Sequence, residues 1–247
     1  MNFIETGQNP LEGALNTNVF VRDENGNKLL KRCPKSNLDI MQVIAREQAF
    51  IGFTALGGGF RRRTPDEQAN FTLEAAMRSL RVLPPSYRDE AGTNYYTFLE
   101  DAQTLDKFLP SAPEQEAKQI VLQIFTDLER AHSYDFVYGD RWSENMLIVP
   151  KLGLMHIDFD LEIYGRAAKE LEVAQVAFYA LCGGRDKVIP LLGTLLGRKN
   201  KWYNIELVEH FAKMLAIHFQ RHEVYGNAIK DVAILFEIAR LEHRKRS

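Results

Sequence analysis

Residues 136–160 read FVYGDRWSENMLIVPKLGLMHIDFD, and the order of polar and apolar residues in this stretch decides how the chain is interpreted. Asp140 is followed five residues later by Asn145, which opens an apolar run. A short turn at 151–153 leads to a second apolar run that ends on Asp158. Two short strands joined by a tight turn bring the start of one strand beside the end of the other. The spacing therefore predicts that Asp140, Asn145 and Asp158 converge.

Oxygen ligands of this kind suit Mg²⁺, which proteins hold with one or two carboxylates while phosphate oxygens and water fill the other positions. In phosphoryl transfer, one Asp accepts the proton of the acceptor hydroxyl, and an Asn and a second Asp hold the metal ions on the phosphates. These roles fall on Asp140, Asn145 and Asp158 respectively. The alternative is a surface hairpin with polar ends, because Asp and Asn also favour turns. The Ile-Asp-Phe-Asp run at 157–160 favours the catalytic interpretation.

The composition is that of an ordinary globular protein. The chain has 247 residues, of which 45% are hydrophobic and 26% charged, and this length suffices for one large domain or two small lobes. A formal charge of -2 argues against an obligatory nucleic-acid or membrane partner. The N-terminus carries no secretion signal, so a cytoplasmic location is expected. Cys33 and Cys182 are too few for a disulfide framework and are expected to be unpaired thiols.

Local signals divide the chain into a strand-rich first part and a helical second part. An Asn-Gly pair at 25–26 predicts a hairpin. Thr64 and Glu67 flank a proline in the pattern of a capping box, which predicts a helix over 65–81. Short strands are expected at 2–5, 17–22 and 27–33 and a buried strand from Tyr95, and further helices are expected over 38–56, 105–109, 114–132, 186–197, 202–222 and 226–243.

Several motifs resemble those of the protein-kinase-like superfamily. Residues 131–138, AHSYDFVY, are similar to the lead-in to the catalytic loop of Ser/Thr kinases. The step at 138–140, Tyr-Gly-Asp, resembles the His-Gly-Asp of aminoglycoside phosphotransferases, ketosamine kinases and other atypical kinases, and 142–143 resembles the Trp-Ser step of ketosamine kinases. The resemblance covers about residues 17 to 182. Asp160 stands where protein kinases have Gly, and neither a long activation segment nor an Ala-Pro-Glu motif follows it.

The resemblance implies ATP and Mg²⁺ as cofactors and assigns further residues to the nucleotide. Lys31, on the face of its strand that also carries Leu29, is the expected phosphate-binding lysine, although a lysine on an edge strand is the ordinary alternative. A helical Glu should pair with it, and Glu74 is preferred over its competitor Glu47.

Other features of the family are only partly matched. Leu99, Glu100 and Asp101 resemble the hinge whose backbone meets the adenine edge. Gly7 and Gly13 lie where a phosphate loop is expected, but the full glycine motif is missing. Glu172 either anchors the catalytic loop or is a solvated helix charge, favoured at that helix start by the helix dipole.

The expected fold is therefore a two-lobed, α+β, protein-kinase-like fold. It would have a small β-rich N-lobe at 1–99 and a helical C-lobe at 100–247, which contains the catalytic hairpin at 145–158 and lacks a long activation segment.

The expected function is transfer of the γ-phosphoryl group of ATP to a hydroxyl of a small molecule or of a protein Ser or Thr. The alternatives are a pseudokinase that acts as a nucleotide-binding or scaffold module, or a small kinase or ATPase associated with tRNA modification. The basic tail at 240–246 is the one place where nucleic acid would bind, although such tails are usually disordered solubilising ends.

Overall fold

The computed structural model describes residues 3–36, 38–198, 202–223, 225–226 and 228–245. The first part of the chain is rich in strands and the rest is mainly helical, so the mixed α+β class is confirmed. The strands are β1 (Ile4–Glu5), β2 (Leu11–Glu12), β3 (Asn16–Arg22), β4 (Lys28–Pro34), β5 (Gly59–Arg62), β6 (Tyr87–Arg88), β7 (Asn94–Thr97), β8 (Gln103–Thr104), β9 (Met146–Val149), β10 (Gly153–His156) and β11 (Leu161–Tyr164). The helices are α1 (Leu38–Phe50), α2 (Pro65–Met77), α3 (Leu105–Ser111), α4 (Glu114–Ser133), α5 (Ala168–Gly184), α6 (Ile189–Arg198), α7 (Ile205–His218) and α8 (Ala228–Arg244).

The largest sheet has the order β1-β3-β4-β7-β6, and β2 adds to the edge of β3. β3 and β4 form the hairpin that the Asn-Gly pair predicts, and the turn is held by the Asp23 carboxylate, which accepts the N–H groups of Asn25 and Asn27. In this hairpin Asn18 lies opposite Arg32 and Val19 lies opposite Lys31. The pairing therefore decides which side chains of β4 share a face with which side chains of β3.

The two helices of the first part begin where the sequence indicates. The capping box of α2 is formed, since the Thr64 side chain accepts the N–H of Glu67 and the Glu67 carboxylate accepts the N–H of Thr64. α1 ends earlier than predicted, and a short 3-10 helix follows at Thr54–Leu56. The reason is Gly52, whose φ of 81° takes the backbone out of the helical region.

The main hydrophobic core crosses the expected lobe boundary near residue 99. It includes Ile51 and Phe53 after α1 and Ala75 in α2, together with the buried faces of the C-terminal helices. The boundary is also crossed by the pairing of β5 with β11, which begins directly after Asp160. The helices of the first part are thus packed on the helical part, whereas the sheet keeps a small cluster of its own around Val21, Leu29 and Tyr95.

The basic C-terminal segment is largely helical and not a disordered tail. α8 continues to Arg244, and Arg240 forms an ion pair with Glu209 of α7 at 2.7 Å. Arg246, the last basic residue of the predicted tail, lies outside the described residues.

No helix in the described part of the chain has both the length and the apolar character needed to cross a membrane. Cys33 and Cys182 are both unpaired, as expected.

The contact between α6 and α8 depends on small residues. A Cβ atom on Gly197 would lie 2.5 Å from the backbone oxygen of Ala239 and 2.8 Å from Cβ of Glu242. We expect Gly197→Ala to lower the free energy of unfolding by about 1–3 kcal/mol, because forced overpacking outweighs the higher helix propensity of Ala. Urea unfolding measures the change. Thr194→Ala, on the same helix, is the control and should change stability by less than about 1 kcal/mol; a stabilised Gly197→Ala variant would contradict this packing.

Candidate functional site

The β9–β10 hairpin brings together the residues that the sequence spacing predicts. Met146 pairs with His156, so the position before β9 lies beside the position after β10. The N–H of Ile157 donates to the backbone oxygen of Asn145 at 3.0 Å and closes this end of the hairpin. Asn145 and Asp158 are therefore neighbours in space.

Arg141 fixes this end of the hairpin through hydrogen bonds to its backbone. Its side chain is fully buried, and its guanidinium donates to the backbone oxygens of Ile157 at 3.2 Å, Asp158 at 2.9 Å and Asn145 at 3.4 Å. Asp158 has a φ of 58°, an uncommon backbone conformation for a residue other than glycine. Its backbone oxygen is one of those that this guanidinium binds, so Arg141 helps to hold the chain in that conformation.

The loop that carries Asp140 is held by α4 and α5. Glu172 of α5 is fully buried, and its carboxylate accepts the N–H of Gly139 at 3.0 Å and lies 2.6 Å from Nε2 of His132. It is therefore an anchor of the loop and not a solvated charge. His132 is buried against Tyr203, which agrees with the structural role that its place at a helix end suggests. Gly139 has a φ of 103° and leaves no room for a Cβ atom, which would lie 2.0 Å from the backbone oxygen of Leu161.

A cavity of about 510 Å³ lies between the sheet, α1 and the β9–β10 hairpin. Asp140, Asn145 and Asp158 all line it, so the structure brings the three predicted residues to one site. The other lining residues come from the β2–β3 region, β4, α1, the loop after Asp140, the segment after Asp158 and the end of α7: Gly13, Ala14, Leu15, Asn16, Asn18, Arg32, Ile40, Val43, Ile44, Glu47, Gln48, Trp142, Glu144, Asp160, Leu161, His218 and Phe219.

Asp140 lies in a desolvated part of the cavity. Burial, followed by the negative charge of Glu47, raises the pKa of Asp140 to about 8. Gln175 of α5 donates to its carboxylate at 3.4 Å, and the Asn145 amide donates to its backbone oxygen at 2.9 Å. Asp140 thus makes only weak contacts with neutral groups, and its carboxylate has an elevated proton affinity.

Asp158 and Asp160 share one cation. Nη2 of Arg32 lies 2.7 Å from Oδ1 of Asp158 and 2.8 Å from Oδ2 of Asp160. Burial opposes ionisation of Asp158, but the charge and hydrogen bond of Arg32 outweigh it and lower the pKa of Asp158. Burial and the neighbouring Asp158 raise the pKa of Asp160. Asn16 also donates to Oδ2 of Asp160, while Oδ1 is buried without a partner among the described residues.

The structure places Lys31 away from this cavity. Successive side chains of a strand point to opposite faces, and Arg32 points to the cavity. Lys31 therefore shares a face with Leu29, as the sequence predicts, but this is the face of the small outer cluster. The expectation that Lys31 faces the site is corrected to its neighbour Arg32, because the register of the β3–β4 hairpin turns Arg32 inward beside Asn18.

The structure also does not bring Glu74 to the cavity. Glu74 is exposed on α2 and forms an ion pair with Arg78 at 3.1 Å, so the expected pair with Lys31 is not formed. Its competitor Glu47 does line the cavity. Glu47 has no arginine or lysine partner among the described residues, and its carboxylate lies 3.9 Å from Nε2 of His218, an imidazole whose pKa burial lowers.

The residues of the predicted hinge lie between β7 and β8, and Leu99, Glu100 and Asp101 do not line the cavity. The Glu100 carboxylate pairs with Lys28 at 3.0 Å, and the N–H of Phe98 donates to the backbone oxygen of Lys28 at 3.2 Å. Of the two glycines expected in a phosphate loop, Gly13 lines the cavity and Gly7 does not.

The oxygen ligands at this site fit Mg²⁺ when phosphate and water supply its remaining ligands. Within the described part of the chain, no group of three or more His, Cys, Asp or Glu side chains is placed to hold a metal ion. Asn145, Asp158 and Asp160 offer two carboxylates and an amide oxygen, which matches the partial protein coordination that Mg²⁺ accepts when phosphate and water complete its shell. The unpartnered Oδ1 of Asp160 is one available oxygen.

Comparison with known protein families finds no match to this chain, and comparison with curated protein sequences finds none either.

Sequence reasoning did not identify Arg32 or Arg141 as site residues. A signal for Arg32 is present, because Asn16 and Asn18 are polar at alternate positions of β3 and the hairpin register aligns them with the even-numbered residues of β4. No pattern in the sequence marks Arg141, whose role depends on the backbone oxygens of Ile157 and Asp158, more than ten residues further along the chain.

Burial of Glu47 predicts a pH-dependent change in stability. Burial raises the pKa of Glu47 from 4.5 to about 7. The titratable groups facing it are Asp140, whose pKa burial also raises, and His218, whose pKa burial lowers. Between the two pKa values of Glu47 the folded protein binds more protons than the unfolded chain, so stability falls as the pH rises. The stability of Glu47→Gln relative to the parent should therefore grow by roughly 2–3 kcal/mol from pH 5 to pH 8.

Urea unfolding at the two pH values measures this difference. Glu74→Gln makes the same substitution on an exposed helix face and is the matched control for the change of side chain. If the stability of Glu47→Gln relative to the parent is the same at both pH values, the Glu47 carboxylate is solvated in the folded protein.

Proposed function

We propose that this chain is an ATP- and Mg²⁺-dependent phosphotransferase that moves the γ-phosphoryl group to a hydroxyl acceptor, within a two-lobed kinase-like fold. The observation that carries the proposal is the convergence of Asp140, Asn145 and Asp158 in one cavity, on a loop and a hairpin that are held by buried contacts. The resemblance of the sequence around these residues to atypical kinases supports the same reaction.

Each residue has a definite task in this reaction. Asp140 orients the acceptor hydroxyl and accepts its proton as the oxygen–phosphorus bond forms, while the bond from the γ-phosphorus to the β,γ-bridging oxygen breaks and ADP leaves. Asn145 and Asp158 would hold Mg²⁺, which neutralises charge on the phosphates. Arg141 positions both of these residues through their backbone oxygens.

The acceptor side of the proposed site is formed by α1 and the end of α7. Ile40 and Ile44 with Trp142 and Phe219 make this side partly apolar, and Glu47 adds a carboxylate. A cavity enclosed in this way suits a small molecule or a single side chain.

A second candidate is a kinase-like binding module without phosphotransfer. It is favoured by Arg32, which already forms ion pairs with Asp158, a proposed metal ligand, and with its neighbour Asp160. The two experiments below separate binding from chemistry and so distinguish these candidates.

The first experiment tests nucleotide binding. A ligand that binds only the folded state raises the melting temperature, so Mg²⁺-ATP should stabilise the parent protein. Asp158→Ala should remove the metal-dependent part of this gain, because it removes a proposed metal ligand. Differential scanning fluorimetry with ATP in Mg²⁺ and in EDTA measures both effects. A melting temperature that Mg²⁺-ATP leaves unchanged at millimolar concentration would contradict nucleotide binding.

The second experiment tests the chemistry. Asp140→Asn keeps the size of the side chain but removes the proton acceptor, so phosphotransfer should fall by about 10²–10⁴-fold. Nucleotide affinity should stay within a few-fold of the parent, because the change acts on the acceptor. A screen of hydroxyl acceptors with γ-labelled ATP provides the activity. Equal transfer by the parent and Asp140→Asn would exclude Asp140 as the base, and a parent that binds but transfers to no acceptor would favour the binding module.

A further inference from the structure

Arg32 is the cation that β4 presents to the cavity. Among the described residues that line the cavity, it is the only arginine or lysine. The nearby Arg62 is engaged elsewhere, since its guanidinium donates to the backbone oxygens of Leu15 at 2.7 Å and Lys35 at 2.6 Å. A polyanion that enters this cavity therefore meets one strong cation.

The guanidinium of Arg32 is only partly used by its two carboxylate partners. Nη2 makes the contacts with both Asp158 and Asp160, while Nε is buried without a partner among the described residues. The side chain is 10% exposed and its guanidinium lies 5.8 Å from the Tyr96 ring centre, so it is held in place with donors to spare. A planar fork of donors is the geometry that binds phosphate oxygens in pairs.

Charge balance links this arginine to the proposed metal. When both are ionised, Asp158 and Asp160 together carry a charge of −2, and Arg32 offsets one unit of it. A divalent cation on the same carboxylates would neutralise them completely and leave the guanidinium buried with no anion. A buried charge without a counter-ion is costly, so the arginine then requires a new anionic partner beside the metal.

From this geometry we infer that Arg32 binds the phosphates of the nucleotide and that, without nucleotide, it competes with a divalent cation for Asp158 and Asp160. The inference rests on the proposed function and adds to it the residue that grips the phosphates. It also predicts that metal and nucleotide bind cooperatively. The metal takes the carboxylates from Arg32, and the phosphates then give Arg32 a new anionic partner.

The first arm of the test measures the metal alone. Arg32→Gln removes the competing charge but keeps a polar side chain, so Mn²⁺ should bind the variant about tenfold or more tightly than the parent, in line with the effect of one close opposite charge on carboxylate proton affinity. Calorimetry or the electron paramagnetic resonance signal of free Mn²⁺ measures the affinity. A variant with unchanged or weaker Mn²⁺ binding would overturn the competition.

The second arm measures Mg²⁺-ATP at saturating Mg²⁺. Arg32→Gln should weaken nucleotide binding by about tenfold or more, because a charge-assisted hydrogen bond to phosphate is lost. The two arms thus expect changes of opposite sign from one substitution, which a general loss of structure does not produce. Nucleotide binding that survives Arg32→Gln would overturn the phosphate role.

Lys31→Gln is the matched control, because it removes the same charge from the next residue of the same strand on the opposite face. It should leave both affinities within about twofold of the parent, and a Lys31→Gln variant that reproduces either change would contradict the assignment to Arg32. Arg32→Lys keeps the charge and loses the fork, so it should bind Mn²⁺ like the parent and ATP more weakly. These two expectations test the inference even where Arg32→Gln does not fold.

Failure of the proposed function has a different signature. A parent protein that binds Mn²⁺ but no Mg²⁺-ATP would contradict the proposed function and the phosphate role together, while the Mn²⁺ arm still decides the competition. A parent that binds Mg²⁺-ATP with Arg32→Gln indistinguishable from it would overturn this inference alone.

Discussion

The buried carboxylate of Glu172 joins three parts of the chain that the site depends on. It accepts the N–H of Gly139, which precedes Asp140, and it contacts His132 at the end of α4. A fully buried carboxylate is stable only when its oxygens are satisfied, so these contacts fix the loop against α4 and α5. The close approach of Gly139 to Leu161 then ties the same loop to the strand after Asp160. The position of Asp140 follows from these contacts and not from contacts of its own.

Arg141 performs the corresponding task for the other half of the site. Its donors meet backbone oxygens of both chain segments at the open end of the β9–β10 hairpin, so Arg141 binds backbone and not the side chains of Asn145 and Asp158. Neighbouring residues in one loop thus have separate functions, with Asp140 facing the cavity and Arg141 buried beneath it.

The cavity holds two groups of acidic residues with opposite electrostatics. Asp158 and Asp160 are close to a guanidinium, which lowers the pKa of Asp158 while burial still raises that of Asp160; Asp140 and Glu47 have no comparable cation among the described residues, and burial raises their pKa values. Desolvation without a partner favours the protonated form, and a close cation favours the ionised form. The side with Asp140 and Glu47 therefore favours protonated carboxyl groups, whereas Asp158 is kept as an ionised carboxylate that can bind a cation.

The sequence by itself determined the local elements and the convergence of three polar residues, because these depend on short-range signals. Capping residues, an Asn-Gly turn and two apolar runs around a turn act within a few residues of one another, and they placed α2, the β3–β4 hairpin and Asp140, Asn145 and Asp158 correctly. Only the tertiary structure decided that Arg32 and not Lys31 faces the cavity, and that Glu47 and not Glu74 lies beside it. The physical reason is that a strand offers two faces and a helix many, and the face that becomes buried depends on packing against elements distant in sequence.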